Sequence, residues 1–340
     1  MKKTLSLILA LVLALSLAAC GGSSSAPKEE APAEPAATAA PTAAPTEAPA
    51  AEPEEEFSVT VTDMTGREIT LDKPATRVVV LQPGDCEILY AIGAGDTLVG
   101  RGTYCDYPAE VLDVPAVTSG YDTNIEQIIA LEPDVLIMST MAQSEEQVKA
   151  LEDAGIKVVV SDAKNIEGIY TAIELIGKLM GKEDNAKAVI DDMKATFAEL
   201  AEKAAAVNAG GEPKSIYVEV SELKWGLWTA GTGTFYQEVI DMLGMKNIFD
   251  DVVEYAEVSE EQVLERNPDY ILTITMYFGE GPLPVDEIMS RDGWENVPAV
   301  QNGAILNLPN NEFSRPAPRL ADGAQMLFDF VFGEAAENAA

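Results

Sequence analysis

The apolar positions of the chain alternate between short continuous runs and longer stretches in which they recur every three or four residues. Two continuous runs, 78–81 and 135–138, are typical of strands buried on both faces, and 156–160, which Lys157 interrupts, also predicts a strand. Helical periodicity occupies the stretches that follow them, at 83–94, 144–153 and 166–180. A strictly alternating pair of segments, 57–62 and 67–71, predicts a β-hairpin in front of them. Strands that alternate with helices predict parallel α/β layering.

One amphipathic stretch, residues 183–207, is much longer than the others and stops at the sequence Asn208-Ala-Gly-Gly. At ~1.5 Å per residue such a helix spans roughly 37 Å, which is long for a helix inside one small domain. The alternation of strand and helix restarts after it. We therefore predict an α/β fold of two Rossmann-like lobes, 57–182 and 208–340, joined by one long rigid α-helix.

An internal repeat supports the two lobes. Segments 126–137 and 261–272 share one pattern: Glu-Gln, two apolar residues, three further residues, then Pro-Asp before an apolar run. A capping residue, Asn124 or Ser259, precedes each copy by two positions, and Gln follows it at the capping-box spacing. Each copy predicts a helix–turn–strand unit.

The first 56 residues have a different character. A basic start and a short apolar run, 5–17, are typical of a signal peptide, because a membrane span needs ~20 apolar residues. The run ends in Leu-Ala-Ala-Cys20-Gly, which resembles a bacterial lipobox; an ordinary secretory signal with a chance cysteine is the alternative. We predict a signal peptide over 1–19, a lipid on Cys20, and a disordered Ala/Pro/Glu tether over 20–56. The protein would be exported and anchored to the outer face of the cell membrane, or to the periplasmic side in a double-membrane host.

Charge and composition argue against several classes of function. The chain has 22 basic and 57 acidic residues, a net charge of −35 and no histidine. Nucleic-acid binding needs a basic surface, and Ser-His-Asp or Cys-His catalysis needs histidine. We therefore expect no nucleic-acid partner, no enzyme activity, no catalytic residues and no metal ligands, although enzymes without histidine exist. Cys86 and Cys105 could form a disulfide in an exported protein; free buried thiols are the alternative we favour.

After the lipobox and tether, several segments that follow one another in the expected order together resemble the class III substrate-binding proteins of ABC importers, the iron-siderophore, haem and cobalamin group. The matching segments are 77–81, 87–96, 104–108, 124–134, 294–303 and 318–320. The resemblance implies two lobes on a rigid helix, a shallow ligand cleft between them, and no chemistry on the ligand. The absence of histidine fits this role, because a chelated metal needs shape, stacking and hydrogen bonds rather than protein ligands.

The resemblance also implies roles for individual residues. Glu126 and Glu261, one in each lobe, would meet arginines of the permease; stabilisation of a helix N-terminus is the alternative for both. Candidate ligand contacts are Tyr104, Trp225, Trp228, Tyr277, Phe278, Phe313, Arg315 and Arg101. The aromatic residues could instead pack in the core, and the arginines could form surface salt bridges.

We therefore expect a monomeric, membrane-anchored component that captures a metal chelate and delivers it to a permease dimer driven by ATPases. The chelate would be a corrinoid such as cobalamin, or a ferric siderophore. The cleft offers many aromatic residues and few cations, which favours a corrinoid or a neutral siderophore complex. Haem binding within the same family, and a ligand sensor or scavenger without transport, are the alternatives. The lipid on Cys20 would be the only covalently bound group.

Overall fold

A computed structural model describes residues 58–120, 123–140, 144–277, 279–308 and 310–337. The expected signal peptide, Cys20, the tether and Phe278 lie outside the described residues. Residues 55–340 form one compact unit. No helix among the described residues has the length and apolar character needed to cross a membrane.

The chain before residue 183 alternates strands with helices. Its strands are β1 Val59–Thr62, β2 Glu68–Leu71, β3 Val78–Val80, β4 Leu98–Gly102, β5 Ala116–Val117, β6 Val135–Met138 and β7 Lys157–Val160. Its helices are α1 Pro83–Ala91, α2 Ile125–Ala130, α3 Glu145–Asp153 and α4 Ile166–Met180. β1 and β2 form the expected hairpin, and the other strands form a parallel sheet in the order β5-β4-β3-β6-β7.

The helix α5, Glu183–Val207, leads into a second set of elements. The strands there are β8 Ser215–Glu219, β9 Leu227–Ala230, β10 Lys246–Asn247, β11 Tyr255–Val258, β12 Tyr270–Thr273 and β13 Ile305–Asn307. The helices are α6 Phe235–Met242, α7 Glu260–Arg266, α8 Pro284–Met289, α9 Pro298–Gln301, α10 Asn310–Phe313 and α11 Leu320–Glu337. A parallel sheet has the order β10-β8-β12-β13, and β9 pairs antiparallel with β11. The predicted fold class, two α/β lobes joined by a long helix, is confirmed.

The sequence repeat appears as two matching helix–turn–strand units. Asn124 caps α2 and Ser259 caps α7, each by accepting a hydrogen bond from the backbone N–H three residues later. Asp134 and Asp269, which precede β6 and β12, are also equivalent to each other in the two units. The Oδ2 atom of each accepts hydrogen bonds from the residue that begins or precedes the neighbouring strand, Thr76 at 2.9 Å in one lobe and Ser215 at 2.9 Å in the other.

One of three hydrophobic clusters among the described residues runs through both lobes. One cluster of buried side chains includes Val78 of β3, Ile190 and Phe197 of α5, Val218 of β8 and Leu327 of α11. Because α5 packs on α4 on one side and on α11 on the other, it is part of the core and not an exposed connector. Movement of one lobe against the other would disturb this packing.

The structure contains two strands that the pattern of apolar positions does not predict. The strand β9 lies within residues 224–231 and pairs with β11. The strand β4 contains two glycines, so a search for continuous apolar runs does not detect it. Gly102 is required there, because a Cβ atom would lie 2.2 Å from the carbonyl oxygen of Leu81 in the adjacent segment.

Candidate functional site

A cavity of about 470 Å³ opens where the carboxyl ends of β3, β4, β7 and β12 converge. Open parallel sheets place their binding crevices at this end of their strands. The lining comes from both lobes: 82–85 at the start of α1, 103–104 and Asp106 after β4, 161–163 after β7, Met276 after β12, and Asn311 with 314–316 before α11.

Arg315 lies in this cavity and is held by acidic groups of the protein itself. Its Nη1 atom donates to Glu87 Oε1 at 2.9 Å and to Asp106 Oδ1 at 2.7 Å, and its Nη2 atom donates to the carbonyl oxygen of Tyr104 at 3.1 Å. Glu87 is buried and also accepts two hydrogen bonds from Arg319, at 2.7 and 2.8 Å. Burial alone would raise the pKa of Asp106, but the hydrogen bond and charge of Arg315 hold this pKa below its usual value. The network joins α1 to the segment that precedes α11.

Asp85 lies on the first turn of α1 and lines the same cavity. Its side chain is buried, and Oδ1 accepts a hydrogen bond from Ser161 Oγ at 2.7 Å. Oδ2 has no hydrogen-bond partner in the part of the chain that the structure describes. Burial, helped by the nearby charge of Asp162, raises the pKa of Asp85 from 3.8 to about 7.

Cys86 and Cys105 are both completely buried and are free thiols. A hydrogen bond between the two side chains, together with burial, raises the pKa of Cys86. A thiol with a raised pKa stays protonated at neutral pH and is a poor nucleophile. Among the described residues there is also no cluster of Cys, Asp and Glu that could hold a metal ion.

The cavity contains two of the residues singled out in the sequence, Tyr104 and Arg315. Tyr104 is 68% exposed although its ring is large and apolar, as expected of a surface that a ligand covers. Tyr277, which is 47% exposed, lines a neighbouring cavity of about 320 Å³; Met276 lines both.

The structure does not bring two other candidates into the cavity. Phe313 is completely buried and packs against Tyr236, with ring centroids 5.5 Å apart. The guanidinium of Arg101 donates to the carbonyl oxygens of Val114 at 3.1 Å and Cys105 at 3.0 Å, so it braces the loop after β4. Both side chains are therefore placed to support the walls of the site.

Trp225 and Trp228 are exposed outside the cavity lining, at 75% and 38%. In the β9–β11 pair, Trp228 lies opposite Glu257 and Ala230 lies opposite Tyr255. The two-residue period of a strand places Trp228 and Tyr255 on one face of this ribbon. The sequence analysis does not identify Tyr255 as a candidate ligand contact. The alternation of residues 255–258 was the available signal for the strand that carries it. Its ring contacts Tyr236 edge-on at 6.4 Å.

The ribbon that carries Trp228 and Tyr255 lies close to the first lobe. Lys164 Nζ, which follows the cavity segment 161–163, forms a salt bridge with Glu254 Oε1 at 3.1 Å. Phe235 N also donates to the carbonyl oxygen of Lys164 at 3.0 Å. An exposed aromatic face therefore flanks the cavity on the side of the second lobe.

Glu126 and Glu261 occupy the first turns of α2 and α7, the two repeated units, and both are exposed. The backbone N–H of Glu261 and the Ser259 hydroxyl stabilise the Glu261 carboxylate and lower its pKa. Neither glutamate has a salt-bridge partner among the described residues. Each lobe thus presents one unpaired negative charge at the same point of its repeat.

Comparisons with known proteins agree with this arrangement. The family model described as periplasmic binding protein matches residues 78–312. The chain is 32% identical over 281 residues to the uncharacterized ABC transporter substrate-binding lipoprotein YvrC of Bacillus subtilis, covering 82% of this chain and 87% of that protein. It is 29% identical to the vitamin B12-binding protein of Vibrio cholerae, over 76% of this chain and 90% of the relative.

A solved structure, of a possible iron-binding (periplasmic solute-binding) protein from Staphylococcus epidermidis, is also similar to the chain. It superposes with a TM-score of 0.64 and 31% identity, covering 76% of this chain and all of that one.

Proposed function

The chain belongs to the periplasmic binding protein family, and from this premise we propose that it is the membrane-anchored substrate-binding component of an ABC importer. Its cargo would be a metal chelate, either a corrinoid such as cobalamin or a ferric siderophore. The observation that carries the proposal is a cavity built from both lobes, with exposed Tyr104 on one side and Met276 on the other. Exposed aromatic and thioether groups suit a large, partly apolar ligand.

The charges around the cavity favour a chelate without peripheral negative charge. Asp85, Asp106 and Asp162 line the cavity, and Arg315 is the one cation among its described lining residues. That cation is already paired with Glu87 and Asp106. A ferric catecholate or the carboxylates of haem would meet carboxylates with no free cation to offset them. A corrinoid or a neutral hydroxamate complex meets no such repulsion.

Delivery would occur at the two repeated units. Glu126 and Glu261 would contact basic residues of a permease dimer, which cytoplasmic ATPases drive. The lipid on Cys20 would hold the protein at the outer face of the membrane, and the tether would let the lobes reach the permease. The protein itself would carry out no reaction, and a single copy would suffice to carry one chelate.

Absorption spectroscopy tests the proposal directly. The exported chain is mixed with cyanocobalamin, haemin, a ferric hydroxamate or a ferric catecholate, and the protein is separated by gel filtration. We expect a shifted spectrum and co-elution at 1:1 stoichiometry with cyanocobalamin or the ferric hydroxamate, and weaker binding of the two anionic chelates. Co-elution of none of the four would refute the proposed function.

A further inference from the structure

Asp85 lines the cavity, and its Oδ2 atom is buried without a hydrogen-bond partner among the described residues. Asp85 is only 5% exposed, and its other oxygen is held by Ser161. The backbone around it is fixed as well, because a Cβ atom on the preceding Gly84 would lie 2.9 Å from the carbonyl oxygen of Pro316. A buried polar atom without a partner is uncommon and costs free energy, so its presence in a binding cavity points to a partner on the ligand.

The other acids of the cavity already have partners. Asp106 accepts from Arg315, and Asp162 Oδ2 accepts from Thr140 Oγ1 at 2.7 Å. A metal ion is not the missing partner, because no cluster of metal-binding side chains occurs among the described residues. Among the described lining residues, Asp85 is therefore the acid whose unpaired oxygen is also buried.

We propose that Asp85 contacts the ligand and hydrogen-bonds a carboxamide group at the edge of the bound chelate. The proposal rests on the proposed function and adds the residue that recognises the ligand and the group that it recognises. A carboxamide carries both N–H donors and a carbonyl acceptor. It can therefore pair with the ionised carboxylate, through its N–H, or with the protonated acid, through its carbonyl oxygen.

A ligand carboxylate lacks this versatility. It can pair only with protonated Asp85, and two ionised carboxylates repel each other. The other charged residues that line the cavity do not relieve the repulsion, because Asp162 and Asp106 are acidic and Arg315 is already paired. The pKa of about 7 leaves Asp85 partly ionised at neutral pH. The cavity should thus select a chelate edged with amides over the same chelate edged with carboxylates.

Two corrinoids separate these cases, because they share a ring and a metal and differ in the peripheral groups. Dicyanocobinamide carries carboxamides, and dicyanocobyrinic acid carries carboxylates. We expect the wild-type protein at pH 7.5 to bind dicyanocobinamide at least tenfold more tightly. Asp85→Leu should lower the affinity for dicyanocobinamide at least tenfold. Asp85→Asn should keep it within about threefold and raise the affinity for dicyanocobyrinic acid at least tenfold.

Asp192→Asn, which changes an exposed acid of α5, is the matched control and should behave like the wild type. Circular dichroism confirms that each variant is folded, and the isosteric Asp85→Asn decides the matter if Asp85→Leu does not fold. Unchanged affinity and selectivity in the Asp85 variants would overturn the inference. So would a wild type that binds the ferric hydroxamate but neither corrinoid, and that result would leave the proposed function standing. A wild type that binds no chelate would instead refute the proposed function itself.

Discussion

At the scale of single residues, the buried carboxyl group of Asp85 makes the stability of the fold depend on pH. Its folded pKa of about 7 lies above its value of 3.8 in an unfolded chain. Between these two pH values the folded state keeps a proton that the unfolded state has released. The stabilising contribution of Asp85 is therefore complete below about pH 4 and is lost as the pH rises through about 7.

We predict that Asp85→Asn, which cannot ionise, becomes more stable relative to the wild type as the pH rises. The difference in the free energy of unfolding should change by up to about 4 kcal/mol between pH 4 and pH 8, since each pKa unit corresponds to ~1.4 kcal/mol. Urea unfolding of both proteins at intervals of one pH unit measures this difference in the free energy of unfolding. Other acids titrate equally in both proteins and cancel in the comparison. Parallel pH profiles for the two proteins would contradict the assigned pKa.

At the scale of secondary-structure elements, Glu87 connects α1 to the chain segment before α11. Glu87→Ala would leave the buried Arg315 and the partly buried Arg319 with only part of their positive charge balanced. Removing one member of a buried ion network typically costs about 3–5 kcal/mol. We predict a loss of this size in the free energy of unfolding by urea. The control Asp153→Ala, which breaks the exposed pair with Lys149, should cost less than about 0.5 kcal/mol. Equal losses in the two variants would show that the Glu87 network has no special role.

The same elements show what the sequence could predict. α5 and the two capped units follow from local periodicity and from residues close in sequence, such as Ser259 and Gln262. The β9–β11 ribbon depends on pairing between segments about two dozen residues apart, which local pattern does not report. The Arg315–Glu87 contact joins residues 228 positions apart, so the sequence could indicate Arg315 as a candidate but not its partner. The open oxygen of Asp85 depends on packing and was likewise not foreseen.

At the scale of the whole molecule, the shared core limits how far the lobes can close on a ligand. α5 contributes buried residues to a core that includes both sheets. Direct links between the lobes add to it, since Glu238 Oε2 accepts a hydrogen bond from Ile166 N at 2.7 Å. We therefore expect a permease to recognise this carrier through a fixed surface on each lobe, and not mainly through a change of shape. The equivalent positions of Glu126 and Glu261 are the surfaces that we propose for this contact.

We predict that Glu126→Ala combined with Glu261→Ala leaves chelate affinity within about twofold of wild type but lowers uptake at least tenfold. Uptake is measured in proteoliposomes that contain the cognate permease and ATPase. If these acids only stabilised helix N-termini, the double variant would lose a little stability and no uptake. A matched double control, Glu145→Ala with Asp286→Ala, removes exposed first-turn acids of α3 and α8 and should transport normally.

Wild-type association with the permease should also weaken as salt rises from 0.05 to 0.5 M, because exposed charge pairs are screened over about 10 Å at 0.1 M. Normal uptake by the Glu126 and Glu261 double variant would exclude docking at these positions. An equal loss of uptake in the control variant would show that the overall negative charge of the carrier, and not the two repeated units, promotes its association with the permease.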